Sequence, residues 1–430
     1  MPDDLSQTPN PTDSQRWLTA LILLLGLAAR CAVIAWRSDQ LTVDRDAYLG
    51  IAENLVAGNG FCLPNSVQPT AFRPPLYPLA LATVMIALPP AWAVAGINLL
   101  AGVATVWLVK RTGVALKLGK GSDLAAGLVA VDPLLLHATS QPMTEVLFTL
   151  LVTAWLWAMN RDNPRSTVAG GMIAGTCFGL AALCRPTIWP LALLVIVVGV
   201  FRCLQAVPAD RPLRTSIAAI LAASAVIAPW IVRNQLEFGQ PIVMTTHGGY
   251  TLLLGNNLVF DEEVVRKPWG TTWPGDSLTR WQAEVEQRLQ LTPGASADEL
   301  SRDAWMSSEA KKFIAARPDR FRAAIGHRIR SLWNVSPQGE SASLPGWLRR
   351  AVAAFYIAEI VAAMMGIFVL VMRRQWFAWL PYLLLIFTIQ GVHLIYWTDA
   401  RMRTPLEPVL ALLAANGLSW FRPSKTSSSL

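Results

Sequence analysis

Charge is what this sequence has least of: 15% of its 430 residues are Asp, Glu, Lys or Arg, against about 25% in an ordinary soluble domain. Too little polar surface is available to face water all round. Histidine is almost as scarce, four in the chain, with no HExxH and no paired spacing, which argues against a protein-built zinc site. Five cysteines, Cys31, Cys62, Cys177, Cys184 and Cys203, lack any CxxC or paired spacing, so no disulfide framework is expected. No internal repeat of the 20–50-residue kind appears. Nor does the net charge of +8 mark a nucleic-acid binder: the polar stretch 234–345 holds 13 acids and 12 bases, leaving the positive excess in short loops between apolar runs.

What the chain has instead is apolar: 53% hydrophobic residues and 18 tryptophans. Runs of about 20 apolar residues match the length an α-helix needs to cross a hydrocarbon core of roughly 30 Å. Indole rings collect at the two bilayer interfaces. The expected class is an all-α polytopic membrane protein.

Residues 1–15 read as a disordered cytoplasmic tail, and Arg16 opens the first run, 17–36. Its flank is acidic and no small-x-small site follows, so it reads as a retained anchor. Further spans are expected near 92–110, 121–138, 143–160, 167–184, 186–201, 213–232, 351–372, 376–397 and 404–421. Five basic clusters then fall on one side: Lys110 to Lys120, Arg161 with Arg165, Arg202 to Arg214, Arg373 with Arg374, and Arg422 with Lys425. The positive-inside rule makes that side cytoplasmic and puts 37–90, 139–145, 234–345 and 398–403 outside. The modules are therefore 16–233 with its first outer loop 37–90, an outer-face insert 234–345, C-terminal spans 346–422, and a tail 423–430. Residues 75–90 are apolar, but a full crossing there would invert every later basic loop, so they read as a partial or re-entrant element broken by prolines.

Within the insert, Ser277 is expected to begin a helix, and Ser296 with Glu299 to form a capping box. After Pro318, Phe321, Ile325, Ile329, Leu332 and Trp333 repeat at helical spacing against Arg320, Arg322, Arg328 and Arg330, an amphipathic helix suited to the headgroup layer.

Ionisable groups at membrane depth are expensive, so their clustering is informative. Here they gather on the outer side: Asp44 and Asp46 in VDRDAY, Arg73 in TAFRPPLYP, Glu145 in PMTEVLF, Arg185 in LCRPT, and Asp399, Arg401 and Arg403 in YWTDARMRTPLEP. Arginines can grip the oxygens of a lipid-linked phosphate, and a carboxylate can take the proton of an attacking hydroxyl. Phosphate is a good leaving group, so one base and positive charge suffice.

The order of DRDAY, AENLVAGNGF, PTAFRPPLYPL, MTEVLF, RPT, PWIVRN, GGYTLLLGNN and DARMRTPLEP resembles bacterial GT-C glycosyltransferases of the protein O-mannosyltransferase and aminoarabinose-transferase type, from about residue 17 to 421. The resemblance implies a GT-C type transmembrane helix bundle with amphipathic interfacial helices and a small outer-face insert. It implies an inverting enzyme that moves a sugar from a polyprenyl-phosphate donor to a protein, glycan or lipid acceptor at the outer face of the bacterial cytoplasmic membrane, with no required cofactor. Aligned on Tyr48, it makes Asp44 the base, with Asp46 as fallback and Glu145 as the second acid. Arg73, Arg401, Arg403 and Arg185 become candidate phosphate ligands, and Tyr48, Tyr77, His247, Asn256, Asn257, His393 and Asp399 candidate substrate contacts. Phe72 and Arg45 stand where several relatives carry acids, which speaks against a metal.

Structural roles compete at each position. Asp44 can cap the helix after it, Glu145 can cap a span, and the arginines can snorkel to headgroups. Arg185 can serve a helix end, His247 and His393 can be structural rings, and Asn256–Asn257 can make a turn. Cys177 and Cys184 read as packing residues. A secondary transporter, or a non-catalytic flippase or scaffold, is the alternative function.

Overall fold

The computed structural model describes residues 13–160, 168–205, 210–339 and 344–421. The tail 1–12, the Arg161–Arg165 pair and residues from 422 onward lie outside that set, as do the side chains of Arg202 and Arg211. In chain order the helices are α1 (Asp13–Trp36), α2 (Tyr48–Val56), α3 (Leu76–Met85), α4 (Pro90–Ala115), α5 (Gly121–Val131), α6 (Pro133–Thr139), α7 (Glu145–Met159), α8 (Val168–Cys184), α9 (Trp189–Gln205) and α10 (Asp210–Phe238). The insert supplies α11 (Gly248–Gly255), α12 (Leu258–Phe260), α13 (Gly275–Leu291), α14 (Glu299–Ala316) and α15 (Pro318–Leu332). The chain closes with α16 (Gly346–Met372), α17 (Leu380–Val392) and α18 (Glu407–Leu418). Among the described residues β-structure is limited to one bridge, between Cys62 and Pro69.

Each expected span has a helix in its place. Four are long and apolar enough to cross a membrane, Asp13–Trp36, Pro90–Ala115, Leu213–Phe238 and Gly346–Met372, and shorter apolar helices lie among them. Leu21 and Leu24 on α1, and Ile357, Val361 and Met364 on α16, point away from the protein while Asn98, Thr105 and Thr149 are buried. Apolar side chains outside and polar ones within are what a lipid solvent rewards, and the chain is a multi-pass membrane protein.

The span expected at 121–138 is two helices. Pro133 removes an N–H, and Asp132 turns its carboxylate to accept from the Leu135 N–H at 2.8 Å, starting α6 afresh. The carbonyls of Val129 and Ala130 then lack helical partners. Arg30 of α1, itself buried, donates to both, at 3.3 and 3.1 Å. An arginine in the first span is thus the cap that lets the backbone break at membrane depth. Residues 75–90 likewise fall short of a crossing: α3 has ten residues, about 15 Å of helix, before Pro89 and Pro90 open α4.

Small residues set the packing. Gly171, Gly175 and Gly179 lie along α8 so close to α10 that a Cβ on each would meet the backbone carbonyls of Thr215, Ala219 and Ala223. Gly366 and Gly417 let α16 meet α18 in the same way. α18 is buried from Glu407 to Gly417 and forms the axis of the bundle.

Three expectations in the insert change. Asp298, not Ser296, caps α14 by accepting from the Ser301 N–H at 2.7 Å. That frees Glu299 to accept from the Thr70 hydroxyl at 2.8 Å and the Ala71 N–H at 3.0 Å. The helix expected from Ser277 begins at Gly275, and Ser277 is buried beneath Trp273. On α15, Arg322 and Arg330 are exposed and Leu332 is buried as expected, but Arg328 is buried and Ile329 is 42% exposed, against the expected faces. Arg328 reaches the Gly255 carbonyl that ends α11, the Leu394 carbonyl at 2.7 Å and Asn256 Oδ1 at 2.8 Å. Three acceptors outweigh the cost of burying that charge.

Candidate active site

Five chain segments bring charge to one place on the insert side of the bundle. The first loop turns at Ala47, a non-glycine residue at φ 63°, and carries Asp46 just ahead of α2. Arg73 precedes the Pro74–Pro75 pair that leads into α3, and Glu145 is the first residue of α7. Arg185 sits where α8 ends, and the 3-10 segment Ala400–Leu406, capped by Asp399 accepting from the Arg401 N–H at 3.0 Å, carries Arg401.

Arg401 is the hub. Its Nη1 lies 3.5 Å from Asp46 Oδ2 and 3.9 Å from Glu145 Oε1, and its Nε lies 3.2 Å from Asp399 Oδ2. Arg73 Nη2 donates to Asp46 Oδ1 at 3.0 Å, and Arg185 Nη1 lies 3.3 Å from Glu145 Oε1. Three acids face three arginines. Arg73 Nε is buried with no hydrogen-bond acceptor, and Arg185 Nη1 and Arg401 Nε, within ion-pair distance of Glu145 and Asp399, are not aligned to hydrogen-bond them. An anion with several oxygens would give all three an aligned acceptor.

Electrostatics separate the acids. Burial pushes the Asp46 carboxyl up, but Arg401 and Arg73 outweigh it and hold the group below its ordinary range. Burial dominates at Asp399 and raises it despite Arg401. Tyr48 is pushed up to about 12, chiefly by burial; its ring lies under the Arg73 guanidinium at 5.3 Å and edge-on to Tyr77.

The other sequence candidates divide. His247 packs edge-on to Phe72 and stacks on Tyr250, with Nδ1 buried and unpartnered; burial, then Arg73, keep it neutral by lowering its pKa well below normal. Asp44 stands apart from the arginines: its Oδ2 accepts from the Gly50 N–H of α2 at 2.8 Å and its Oδ1 is buried with no hydrogen-bond partner. Arg403 is not brought to the cage. Fully buried, it pairs with Glu407 at 2.7 Å and donates to the carbonyls of Leu332 and Asn334, because a 3-10 segment turns the side chain two positions after Arg401 inward. Asn256 and Asn257 bond to backbone around the end of α11, and His393 bonds Thr398 at 3.0 Å. These three are structural in this arrangement. Sequence reading missed Met143 and Met402, whose sulfurs lie 2.8 Å from Arg401 and 2.9 Å from Arg185.

A cavity of about 340 Å³ opens beside the cage between the insert and the spans. Trp269, Trp273 and Trp397 line it, and it meets the charged cluster at Asp399 and Arg401. Its floor includes Tyr356 and Pro133.

No protein-family model and no curated protein sequence matches the chain. Solved structures do. The oligosaccharyltransferase AglB from Archaeoglobus fulgidus, in complex with an inhibitory peptide and a dolichol-phosphate, aligns over 95% of this chain at TM-score 0.55 and 14% identity. This chain has the GT-C glycosyltransferase fold. It spans 51% of the archaeal protein's length. ArnT from Cupriavidus metallidurans aligns over 94% of this chain and 78% of its own, at 13% identity and TM-score 0.44.

Proposed function

We propose that the chain is an inverting glycosyltransferase, taking a sugar from a polyprenyl-phosphate donor to an acceptor hydroxyl or amine at the outer face of the bacterial cytoplasmic membrane. The observation that carries this reading is the convergence of Arg73, Arg185 and Arg401, each with a buried N–H that has no aligned hydrogen-bond acceptor, on Asp46 and Glu145, with Asp46 held below its ordinary range. The fold supports it, since the AglB structure it matches is in complex with a dolichol-phosphate.

The arginines bind the phosphate and stabilise the charge that grows on it as the C1–O bond breaks. Asp46, released from part of its pairing when Arg401 and Arg73 turn to the phosphate, accepts the acceptor's proton as the new C1 bond forms. A single displacement inverts the anomeric centre, by the logic of inverting glycosidases. Glu145 and Asp399 hold Arg185 and Arg401 in place. The aromatic cavity at Arg401 suits the acceptor, because tryptophan faces pack on sugar rings and apolar chains alike. One observation favours a second base: Asp44, with its buried, unpartnered Oδ1, is the residue the family resemblance selects.

The experiment uses full-length protein in lipid nanodiscs with a panel of labelled polyprenyl-phosphate sugars, following release of polyprenyl phosphate. Asp46→Asn is expected to abolish release while Asp44→Asn retains it; the opposite pattern moves the base to Asp44. A product of retained anomeric configuration would contradict the single displacement.

A further inference from the structure

A second charged cluster lies deeper, outside the cage. Asp132 at the α5–α6 break, Glu359 of α16 and Glu407 at the start of α18 each contribute a carboxylate oxygen, and the three lie within 4.8 Å of one another. All three residues are buried, at 1%, 4% and 0% exposure. Glu359 is the midpoint of α16, about 20 Å from either end, which puts the cluster near the middle of the bilayer.

Two of the acids are explained by their neighbours. Asp132 Oδ1 caps α6 and takes the Tyr356 hydroxyl at 3.3 Å, and Glu407 Oε1 pairs with Arg403 Nε at 2.7 Å. Glu359 is not explained. Arriving from a different helix, it has no hydrogen-bond or ion-pair partner among the described residues, and its Oε2 is buried and unpartnered, as are Asp132 Oδ2 and Glu407 Oε2. Three carboxylates face one guanidinium in contact, Arg403. Arg30, the next nearest, is committed to the carbonyls of Gly26, Val129 and Ala130 and acts on Asp132 through space. Negative charge is left over where it is most costly to leave.

We propose that Asp132, Glu359 and Glu407 bind one hard metal cation of calcium size. Oxygens at 2.3–2.6 Å from Ca²⁺ can lie up to about 5 Å apart across the ion, and the three carboxylate oxygens, all within 4.8 Å of one another, fit that span. Calcium's flexible coordination suits acids that arrive from separate helices, whereas Mg²⁺ demands near-ideal octahedral geometry. Entry is from the aromatic cavity, whose lining includes Pro133, Leu134 and Tyr356, next to Asp132. An occupied site fixes Glu407 and Arg403, and with them the Ala400–Leu406 segment that presents Arg401. The site does not depend on glycosyl transfer being the reaction.

The test uses full-length protein in nanodiscs, stripped with EDTA, and measures ⁴⁵Ca²⁺ uptake, the thermal midpoint with and without Ca²⁺, and Tb³⁺ luminescence sensitised through Tyr356. Wild type is expected to take up one Ca²⁺ per chain and to melt higher with it. Glu359→Gln, which breaks no hydrogen bond, should bind Ca²⁺ at least ten-fold more weakly and melt higher than wild type in EDTA, since it relieves the repulsion. Tyr356→Phe should dim the Tb³⁺ signal at unchanged Ca²⁺ stoichiometry. Equal uptake by wild type and Glu359→Gln would overturn the site as adventitious binding elsewhere. No uptake by wild type would overturn it in favour of protons neutralising the three acids.

Discussion

Arg401 touches three carboxylates, so its substitution reports on the whole cage. Arg401→Lys keeps the charge but loses the planar fork that grips two oxygens at once. It should lower kcat/KM on the order of 10²-fold, about 3 kcal/mol of transition-state stabilisation, with the thermal midpoint little changed; steady-state kinetics on the donor identified above checks this. Asp46 gives a pH prediction. Its pKa is depressed in the folded protein, so the stability it contributes is present above the unfolded value of about 3.9 and lost as pH falls through the lower folded value. The stability gap between wild type and Asp46→Asn should therefore stay constant down to about pH 4 and close only below it. Scanning the midpoint from pH 7 to 3 tests this, and a gap that closes at pH 5–6 would contradict it. At this scale the sequence named most of the cage, because Arg73, Glu145 and Arg185 stand as lone charges in apolar surroundings and Asp399 with Arg401 falls in a short charged loop between two apolar runs. It could not separate Arg401 from Arg403, or Asp44 from Asp46. Those pairs lie two residues apart, and whether each faces the cage or the interior depends on a 3-10 turn and on the left-handed Ala47.

At the scale of helices, hydropathy located every span but not how the spans hold together. The break at Asp132–Pro133 is written in the proline. Its repair by Arg30, 100 residues away in the chain, is not, because a capping contact between spans leaves no local pattern. Glu299 is the same lesson: three residues after Ser296 it looks like half of a capping box, whereas the fold uses it to tie α14 to Thr70 and Ala71, just ahead of Arg73. Glu299→Ala should loosen that loop and weaken binding of undecaprenyl phosphate several-fold with the bundle intact, as read by ligand titration beside a thermal melt. The glycine seam is more direct. Gly175→Leu would drive a side chain into the Ala219 carbonyl of α10 and should cut the thermal midpoint sharply, while Gly127→Leu, with open space around it, should not. Similar losses from both would contradict the seam.

Across the whole molecule, the basic loops and the apolar runs together predict sidedness, and the fold gathers the first loop, the insert and the cage on one side of the bundle. Accessibility follows from that. In a cysteine-free background in intact cells, a membrane-impermeant maleimide should label Lys311→Cys in the insert and leave Lys120→Cys, in a basic loop, unlabelled until the membrane is opened. Reversed labelling would place the cage in the cytoplasm and remove the proposed outer reaction. The insert accounts for most of what sequence could not read: its charge is balanced, its contacts to the 393–399 loop run through buried Arg328 and Ser331, and the aromatic cavity it closes is built from residues far apart in the chain.

The central claim is that Arg73, Arg185 and Arg401 hold a lipid-linked phosphate beside an ionised carboxylate. Undecaprenyl phosphate binding to the nanodisc-embedded protein, measured for wild type and for Arg73→Ala, Arg185→Ala and Arg401→Ala, tests it most directly. Saturable binding, weakened by at least ten-fold in each variant while all four proteins melt together, is the predicted result. Binding that is absent from wild type, or equal in all four, would contradict it.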